Sequence, residues 1–583
     1  MRKQSDVGAG RAFLLFSLVF LGAAALVGLA DIVFVLRHYM TFPYGDQWVW
    51  MARMHDRGVV GGLYAQYNEH RLTIPGVFFL IDYRWFSARN GFLIVISLFF
   101  QLACTVLLIL PVWWAPAVPK QVRFIFSGMT IILMFWFIQG EDLFFPYQLQ
   151  IASANLGVLT AACFLSRAAT DARVTAVTWV AVLGSATWAT FSFGSGIIIW
   201  PVVLGLGAVA RVPKRLLIIG GIAFLCVLVL YFADYHTPPG SDSPMRLIMR
   251  PVQVAHYMTV FLGLPFFGAG AQNVRFITYV GPYMLAALGV LTALGIILRL
   301  VRKKPGTRTR PDVMYGSTLV FCLGAGFLAA LGRSNYGVDQ ALSGRYAPMS
   351  LIFWISLAGV LTIEISEREG DGGLGGVVWA GVMAIASVLT FSSHIEMGDY
   401  MALRSQRQAE AALSIAVGVP DSSRVDQELA SLHLVTLVDE FSTPFFHHSL
   451  LAFPEARWLG TPLQDHFHQV PGNQCLGSLD LVNTIPNSLA GGVRVIGWAW
   501  DAKERRVPSR IWITDSTGII RGLGLLNEPR LDVATAYHTA GMGQAGWVAY
   551  SRVPPGAALF TAYAQLRDGN AVCPVGSPHA PAP

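Results

Sequence analysis

Long apolar runs recur from Ala12 to about Ser392 and then stop. A helix of about 18 or more such residues crosses the ~30 Å hydrocarbon core at 1.5 Å per residue. The runs predict about eleven spans, at 12–36, 91–115, 121–138, 148–167, 174–192, 195–211, 215–234, 277–301, 314–332, 346–366 and 375–392. Val252 to Phe267 is also apolar, but it is short and carries Gly263 and Pro265, so it is expected to be an interfacial or re-entrant helix. The break at Gly194 and Gly196 leaves a re-entrant hairpin open as an alternative to two spans. Trp48 to Met54 and Ile74 to Phe86 are apolar-aromatic stretches that predict helices lying along the membrane surface.

Beyond Ser392 the pattern changes. Met397 to Val417 predicts a helix, and Glu428 to Phe441 a second helical stretch. From Cys475 onward, VRVIGWAWD, SRIWITD, GWVAYSRV and ALFTAYAQL alternate or run apolar between the turn signals DSTG and RDGN. That is the pattern of a small antiparallel β-sandwich. The expected architecture is therefore an all-α polytopic membrane domain over 1–392, a helical and mixed region over 393–474, a β-sandwich over 475–577, and a disordered tail over 578–583.

Composition agrees with a membrane domain: 54% of the 583 residues are hydrophobic and 13% charged. The net charge of +7 is not gathered into one nucleic-acid-binding patch. Lys120 and Arg123, Arg167 and Arg173, Arg211 to Arg215, and the RLVRKKPGTRTR stretch from Arg299 lie in alternate short loops. With a cytoplasmic N-terminus these loops obey the positive-inside rule, although the loop at Glu367 to Gly373 is acidic for that side. Ala12 to Leu36 follows Arg2, Lys3 and Arg11 without a small-residue cleavage site, so it is expected to be a retained first helix. The expected location is a bacterial cytoplasmic (inner) membrane, with the C-terminal domain periplasmic.

Under that topology the loops 37–90, 139–147, 235–276 and 333–345 open to one face, and they hold most of the unusual polar residues. FPYGDQWVW places Asp46 beside Gln47 and Trp48, as a general base at the membrane surface or as a helix cap. YNEHR packs Asn68, Glu69, His70 and Arg71; a guanidinium suits phosphate, and the acid and imidazole suit proton transfer, sugar hydroxyls or a metal. The alternative is a solvated loop with an internal ion pair. GEDLFFPYQLQ brings Glu141 and Asp142 to a helix mouth with Gln148 and Gln150, and one of the two acids is expected in the site. GRSNYGVDQALSGRY sets Arg333 and Arg345 on the side that disfavours them, which an anionic lipid phosphate or a pairing with Asp339 would explain.

Cys104, Cys163, Cys226 and Cys322 lie inside apolar runs and are expected to be inert, whereas Cys475 and Cys573 bracket the β-region and predict a disulfide. There is no Walker loop, dinucleotide fingerprint, HExxH or metal-type cysteine spacing, and TFSFGSGIIIWP reads as a helix break.

The acid soon after helix one, the surface helices, the many spans and the YGDQ, NEHR, GEDLFFPYQLQ and GR…ALSGRY patterns over Ala12 to Ser392 resemble the C-type (GT-C-like) membrane glycosyltransferases. The resemblance implies inverting transfer of a sugar from a polyprenyl phosphate to an extracytoplasmic glycan, lipid or protein. The family's loop-one acid maps onto Asp46, which joins Glu69, His70 and Glu141 from the motifs above as the expected catalytic set. Donor-phosphate binding then falls to Arg71, Arg333 and Arg345, and acceptor or sugar contacts to Gln47, Trp48, Asn68 and Gln148. Gln47 stands where the family often has a second acid, which leaves a divalent metal an open question. The rival readings are a flippase or transporter of lipid-linked saccharides, an O-antigen polymerase or ligase, and a non-catalytic assembly protein. The spans read as nearly charge-free and without internal repeat, which favours the enzyme over a transporter.

Overall fold

The computed structural model describes residues 2–171, 174–237, 250–270, 279–304, 306–369, 373–421, 423–425, 453–485, 491–552, 559–567 and 569–579. The helical stretch expected near Glu428 to Phe441 and much of loop 235–276 lie outside them.

The chain divides into two units: 1–39, 49–82 and 91–402 form the first, and 40–48, 83–90 and 403–583 the second. The expected boundary at 392 therefore moves to 402, and two short loop segments belong with the C-terminal unit.

The first unit is helical. Its elements are α1 (Arg2–His38), α2 (Asp46–Tyr64, of which Asp46 to Trp48 belong to the second unit), the hairpin β1 (Gln66–Tyr67) and β2 (His70–Arg71), and α3 (Thr73–Trp85). They continue with α4 (Gly91–Trp114), α5 (Lys120–Met134), α6 (Gly140–Phe144), α7 (Leu149–Thr170), α8 (Ala176–Thr190), α9 (Ile199–Val209) and α10 (Lys214–Phe232). The rest are α11 (Pro251–Phe267), α12 (Val280–Arg302), α13 (Arg310–Arg333), α14 (Ala347–Glu369), α15 (Leu374–Leu389) and α16 (Phe391–Val417), whose end enters the second unit. Nine helical segments among the described residues are long and apolar enough to cross a membrane. The chain thus has the architecture of a multi-pass membrane protein. Ala176–Thr190 and Gly194–Val209, counted above as spans, are shorter apolar helices.

Small residues let the helices approach, as expected where packing rather than water drives association. A Cβ at Gly28 would lie 2.9 Å from Ile131, one at Gly157 2.8 Å from the Ala189 nitrogen, and one at Gly359 2.5 Å from the Tyr315 ring. Helix α11 does not lie on a surface along its whole length. Gly263 abuts Ala286, and the Leu262 carbonyl accepts bonds from Ser350 (2.6 Å) and Trp354 (2.7 Å), so its C-terminal half is enclosed by α12 and α14.

Two segments break the helical ladder inside the bundle, and main-chain turns and side chains together answer freed groups there, as apolar surroundings require. After α5 the chain turns through Phe137–Gln139; Gln139 and Gln101 both donate to the Met134 carbonyl, at 2.6 and 2.5 Å. After α8 it turns through Phe191 to Ile198. Gly196 is obligatory there, since a Cβ would fall 2.1 Å from the Ala189 oxygen.

The second unit holds β3 (His468–Gln469), β4 (Cys475–Thr484), β5 (Gly492–Asp501), β6 (Arg510–Thr514), β7 (Ile520–Glu528), β8 (Gly546–Arg552), β9 (Phe560–Gln565) and β10 (Ala571–His579). They form one sheet, ordered β3-β10-β9-β6-β7-β8-β5-β4, antiparallel except between β3 and β10. This is a single curled sheet rather than the expected pair of stacked sheets. β4 and β10 close on each other, with Gly477 against Val575 and Cys475 bonded to Cys573. Bulges at Leu479/Leu481 and Leu526/Glu528 supply the curvature. Trp498, Trp500, Trp512 and Trp547 are buried in it. The end of α16 packs on this sheet, where Arg494 meets Glu410 at 3.2 Å and Arg552 donates to the Val417 carbonyl at 2.6 Å. Residues 403–417 are thus part of the β unit rather than of a separate linker.

Candidate functional site

The YNEHR motif folds as a two-residue hairpin. Gln66 pairs with Arg71 and Tyr67 with His70, and Asn68 takes the positive φ of 47° that such a turn demands. Glu69 is thereby held at the tip, with His70 and Arg71 on the returning strand.

Glu69 forms an ion pair with Arg333, at the end of α13. His70 Nε2 lies 3.9 Å from the same carboxylate, while its Nδ1 accepts the Gly194 N–H at 3.2 Å and its ring rests on Phe193, 4.1 Å between centroids. A main-chain N–H can only donate, so Nδ1 is the unprotonated nitrogen and Nε2 carries the hydrogen of the neutral ring. Burial is the main cause that lowers the His70 pKa, and the charges of Arg333 and Arg345 add to it; against the opposing pull of Glu69 it falls to about 4. For Glu69, burial alone would raise the pKa, but His70 and Arg333 outweigh it and hold the carboxyl below its ordinary value. With His70 neutral at pH 7, Arg333 is the partner that matters there.

The 333–346 loop is a series of tight turns tied to α11. Gln253 donates to the Ser334 carbonyl (3.0 Å), Tyr257 bonds Gln340, and Gln340 donates to the Tyr346 hydroxyl (3.1 Å). Arg333 faces Glu69. Arg345 Nε donates to Ser343 Oγ at 3.0 Å, and Ser343 in turn reaches Glu141 Oε2 at 3.5 Å. Glu141 also lies against Gly344. Asp142 turns away into the bundle: it is 6% exposed, and neither carboxylate oxygen has a hydrogen-bond partner among the described residues.

Three segments far apart in sequence are thus drawn together. Glu69, His70, Glu141, Arg333 and Arg345 form one polar cluster in the first unit.

Other expected site residues have different surroundings. Arg71 is 2% exposed and is spent on structure: it donates to the carbonyls of Tyr231 (2.5 Å), Tyr64 (2.6 Å) and Ala233, and lies over the Tyr64 ring. The expectation that it binds phosphate is corrected accordingly. Gln47 is buried and donates to Asn90 at 2.8 Å, and Trp48 is buried against Phe42, so neither side chain is presented to a sugar. Asp46 is half-buried at the first position of α2 and belongs, with Gln47 and Trp48, to the second unit. Gln148 is buried and accepts from Gln150 at 3.2 Å, so it too faces inward; Asn68 is exposed at the hairpin. No group of three or more His, Cys, Asp or Glu among the described residues is placed to hold a metal ion.

A cavity of about 270 Å³, lined by Phe100, Gly157, Thr160, Gly184, Ser185 and Trp188, lies between α4, α7 and α8. Trp188 donates to Ser153 Oγ (2.9 Å), which shares a hydrogen bond with Ser192 (2.9 Å), one residue before the Phe193–Gly194 segment that holds His70.

A further ionisable pair lies outside the residues expected from the sequence. His394 on α16 meets Asp31 on α1 at 3.0 Å, with side chains 13% and 8% exposed. Its signal was legible: an aspartate inside an apolar run is costly unless partnered.

No family model, no curated protein and no solved structure matches the chain.

Proposed function

We propose that this protein is an integral membrane glycosyltransferase that takes a sugar from a polyprenyl-phosphate donor and passes it to an extracytoplasmic acceptor. The observation that carries the reading is the gathering of Arg333 and Arg345 with Glu69, Glu141 and His70 in one cluster. Arginine forks suit a phosphate that gains charge as it leaves, and an adjacent carboxylate suits the proton of an attacking hydroxyl. In this reading the acceptor oxygen attacks the anomeric carbon, the bond to the donor phosphate breaks, and polyprenyl phosphate departs toward Arg345 and Arg333.

Glu69 is a poor base, because its ion pair holds its pKa low. Glu141 meets the cluster by accepting from Ser343, and we assign it the base ahead of Asp46 and Asp142. The apolar cavity beside Trp188 offers room for hydrocarbon of the donor. Resemblance to the C-type transferases supports the reading through the motifs alone.

A second reading, a transporter of lipid-linked saccharides, gains from two observations: Asp31 and Asp142 lie inside helical segments long and apolar enough to cross a membrane, and helices break beside α5 and α8. Discontinuous helices and buried carboxylates are frequent in transporters. Purified protein in sealed liposomes with a panel of polyprenyl-phosphate sugars separates the two. Release of polyprenyl phosphate supports the enzyme; movement of intact donor across the bilayer without release supports the transporter.

A further inference from the structure

We infer that His394 is a positioning residue for the Glu141–Asp142 turn. The inference rests on the reading above only in treating that turn as part of the site.

The chain leaves α5 at Met134 and re-enters α-helix at Gly140 through the tight turn Phe137–Gln139, in which Phe135, Trp136 and Gln139 keep main-chain partners for their N–H groups. The Phe137 N–H is one of the freed donors, and it is answered by His394 Nδ1 at 3.2 Å. That bond fixes the tautomer: Nε2 carries the hydrogen and donates it to Asp31 Oδ1 at 3.0 Å. The ring is further clamped by stacking on Phe137, 4.1 Å between centroids and 15° between planes. Two more contacts from the same helix lie on the same turn. Gly398 stands against the Phe137 ring, and Met401 against Gly140, in each case so close that a Cβ on the glycine would fall within 2.9 and 2.8 Å. One face of α16 therefore supports the turn from its first residue to the one that precedes Glu141.

His70 is used in the same way at the other helix break, where its Nδ1 accepts the Gly194 N–H and its Nε2 faces an acid. In both places a histidine Nδ1 supplies the acceptor for a main-chain N–H at a helix break, and a carboxylate lies on the side of Nε2. His394 differs in touching none of the cluster residues itself. Its effect on Glu141 passes through four residues of backbone, from Phe137 to Gly140.

The test uses the full chain in detergent or lipid, with Cys226→Ser to remove the exposed thiol and Leu143→Cys as the probe. Leu143 is buried, and Cys104, Cys163 and Cys322 are buried reference thiols. The rate of N-ethylmaleimide labelling at position 143 then reports opening of the turn. His394→Asn keeps an acceptor where Nδ1 stands, whereas His394→Gln places its amide where Nε2 stands. The Gln variant is expected to label about fivefold faster than the Asn variant, the population change that one lost hydrogen bond of ordinary strength brings. The three reference cysteines should stay protected in both.

Equal labelling of the two variants, or labelling of the reference cysteines in step with position 143, overturns the inference and leaves His394 a general packing residue. Should the Gln variant fail to accumulate, Asp31→Leu, which leaves the ring without its tether, is expected to raise labelling, and a wild-type rate overturns the inference equally. Because labelling needs no turnover, its outcome is independent of whether any sugar donor is accepted.

Discussion

Glu69 and Arg333 stand 264 residues apart in the chain and are joined as an ion pair between the hairpin tip and the end of α13. That contact brings YNEHR and the 333–346 loop, two motifs distinct in sequence, into one site. Both side chains are about one-third exposed or less. A double-mutant cycle of Glu69→Gln and Arg333→Gln, read by thermal unfolding, should give a coupling of about 1 kcal/mol. Additivity of the two changes would remove the pair from the account.

Arg71 and Arg345 should part company under substitution. Arg71→Lys loses the fork that serves three carbonyls, and a buried acceptor left unbonded costs about 1–3 kcal/mol, so the variant should melt well below wild type. Arg345→Lys should melt near wild type yet bind donor more weakly. Equal donor affinity in the Arg345 variant would count against phosphate recognition there.

His70 gives the protein an acid-sensitive limb. Its folded pKa of about 4 lies below the ordinary 6.5, so its contribution is fully present above pH 6.5 and is lost as pH falls from there toward 4. The loss should total roughly 3 kcal/mol at most. Protonation also puts a hydrogen on Nδ1, where the Gly194 N–H now donates. Melting curves between pH 7 and 4 should show this decline, and His70→Asn should flatten it.

How far the sequence reveals this molecule differs by element. The apolar runs predict helices at almost every place where one is found, because membrane length is a coarse and robust signal. Cys475 and Cys573 were also legible from their placement about the β-region. The role of Arg71 was not, because its partners Tyr231 and Ala233 lie 160 and 162 residues away, and nothing local marks a guanidinium as already bonded. The curled sheet read as a sandwich for a similar reason: alternation along a strand shows which face is buried but not how the ends of the sheet meet.

The disulfide closes a loop of sequence separation 98. Cys475→Ser with Cys573→Ser should lower the stability of the β unit by up to about 4–5 kcal/mol in the chain-entropy picture. Calorimetry or denaturant unfolding of the full chain, followed by tryptophan fluorescence, measures it.

The positive-inside pattern predicts a cytoplasmic N-terminus and an extracytoplasmic β unit. A phosphatase reporter fused after Asp501 should be active outside the cytoplasm. An inactive fusion with normal expression would invert the assignment.

In the proposed transfer from a polyprenyl-phosphate sugar, Glu141 beside the arginine cluster serves as base. The most direct measurement is the rate of polyprenyl phosphate release by wild type, Glu141→Gln and Asp46→Asn in lipid with donor and acceptor. The account predicts release by wild type and a loss of about a hundred- to ten-thousandfold in Glu141→Gln with the fold intact. Near-normal release by Glu141→Gln alongside a collapsed rate in Asp46→Asn would move the base to Asp46, and no release by wild type with any donor would contradict the claim altogether.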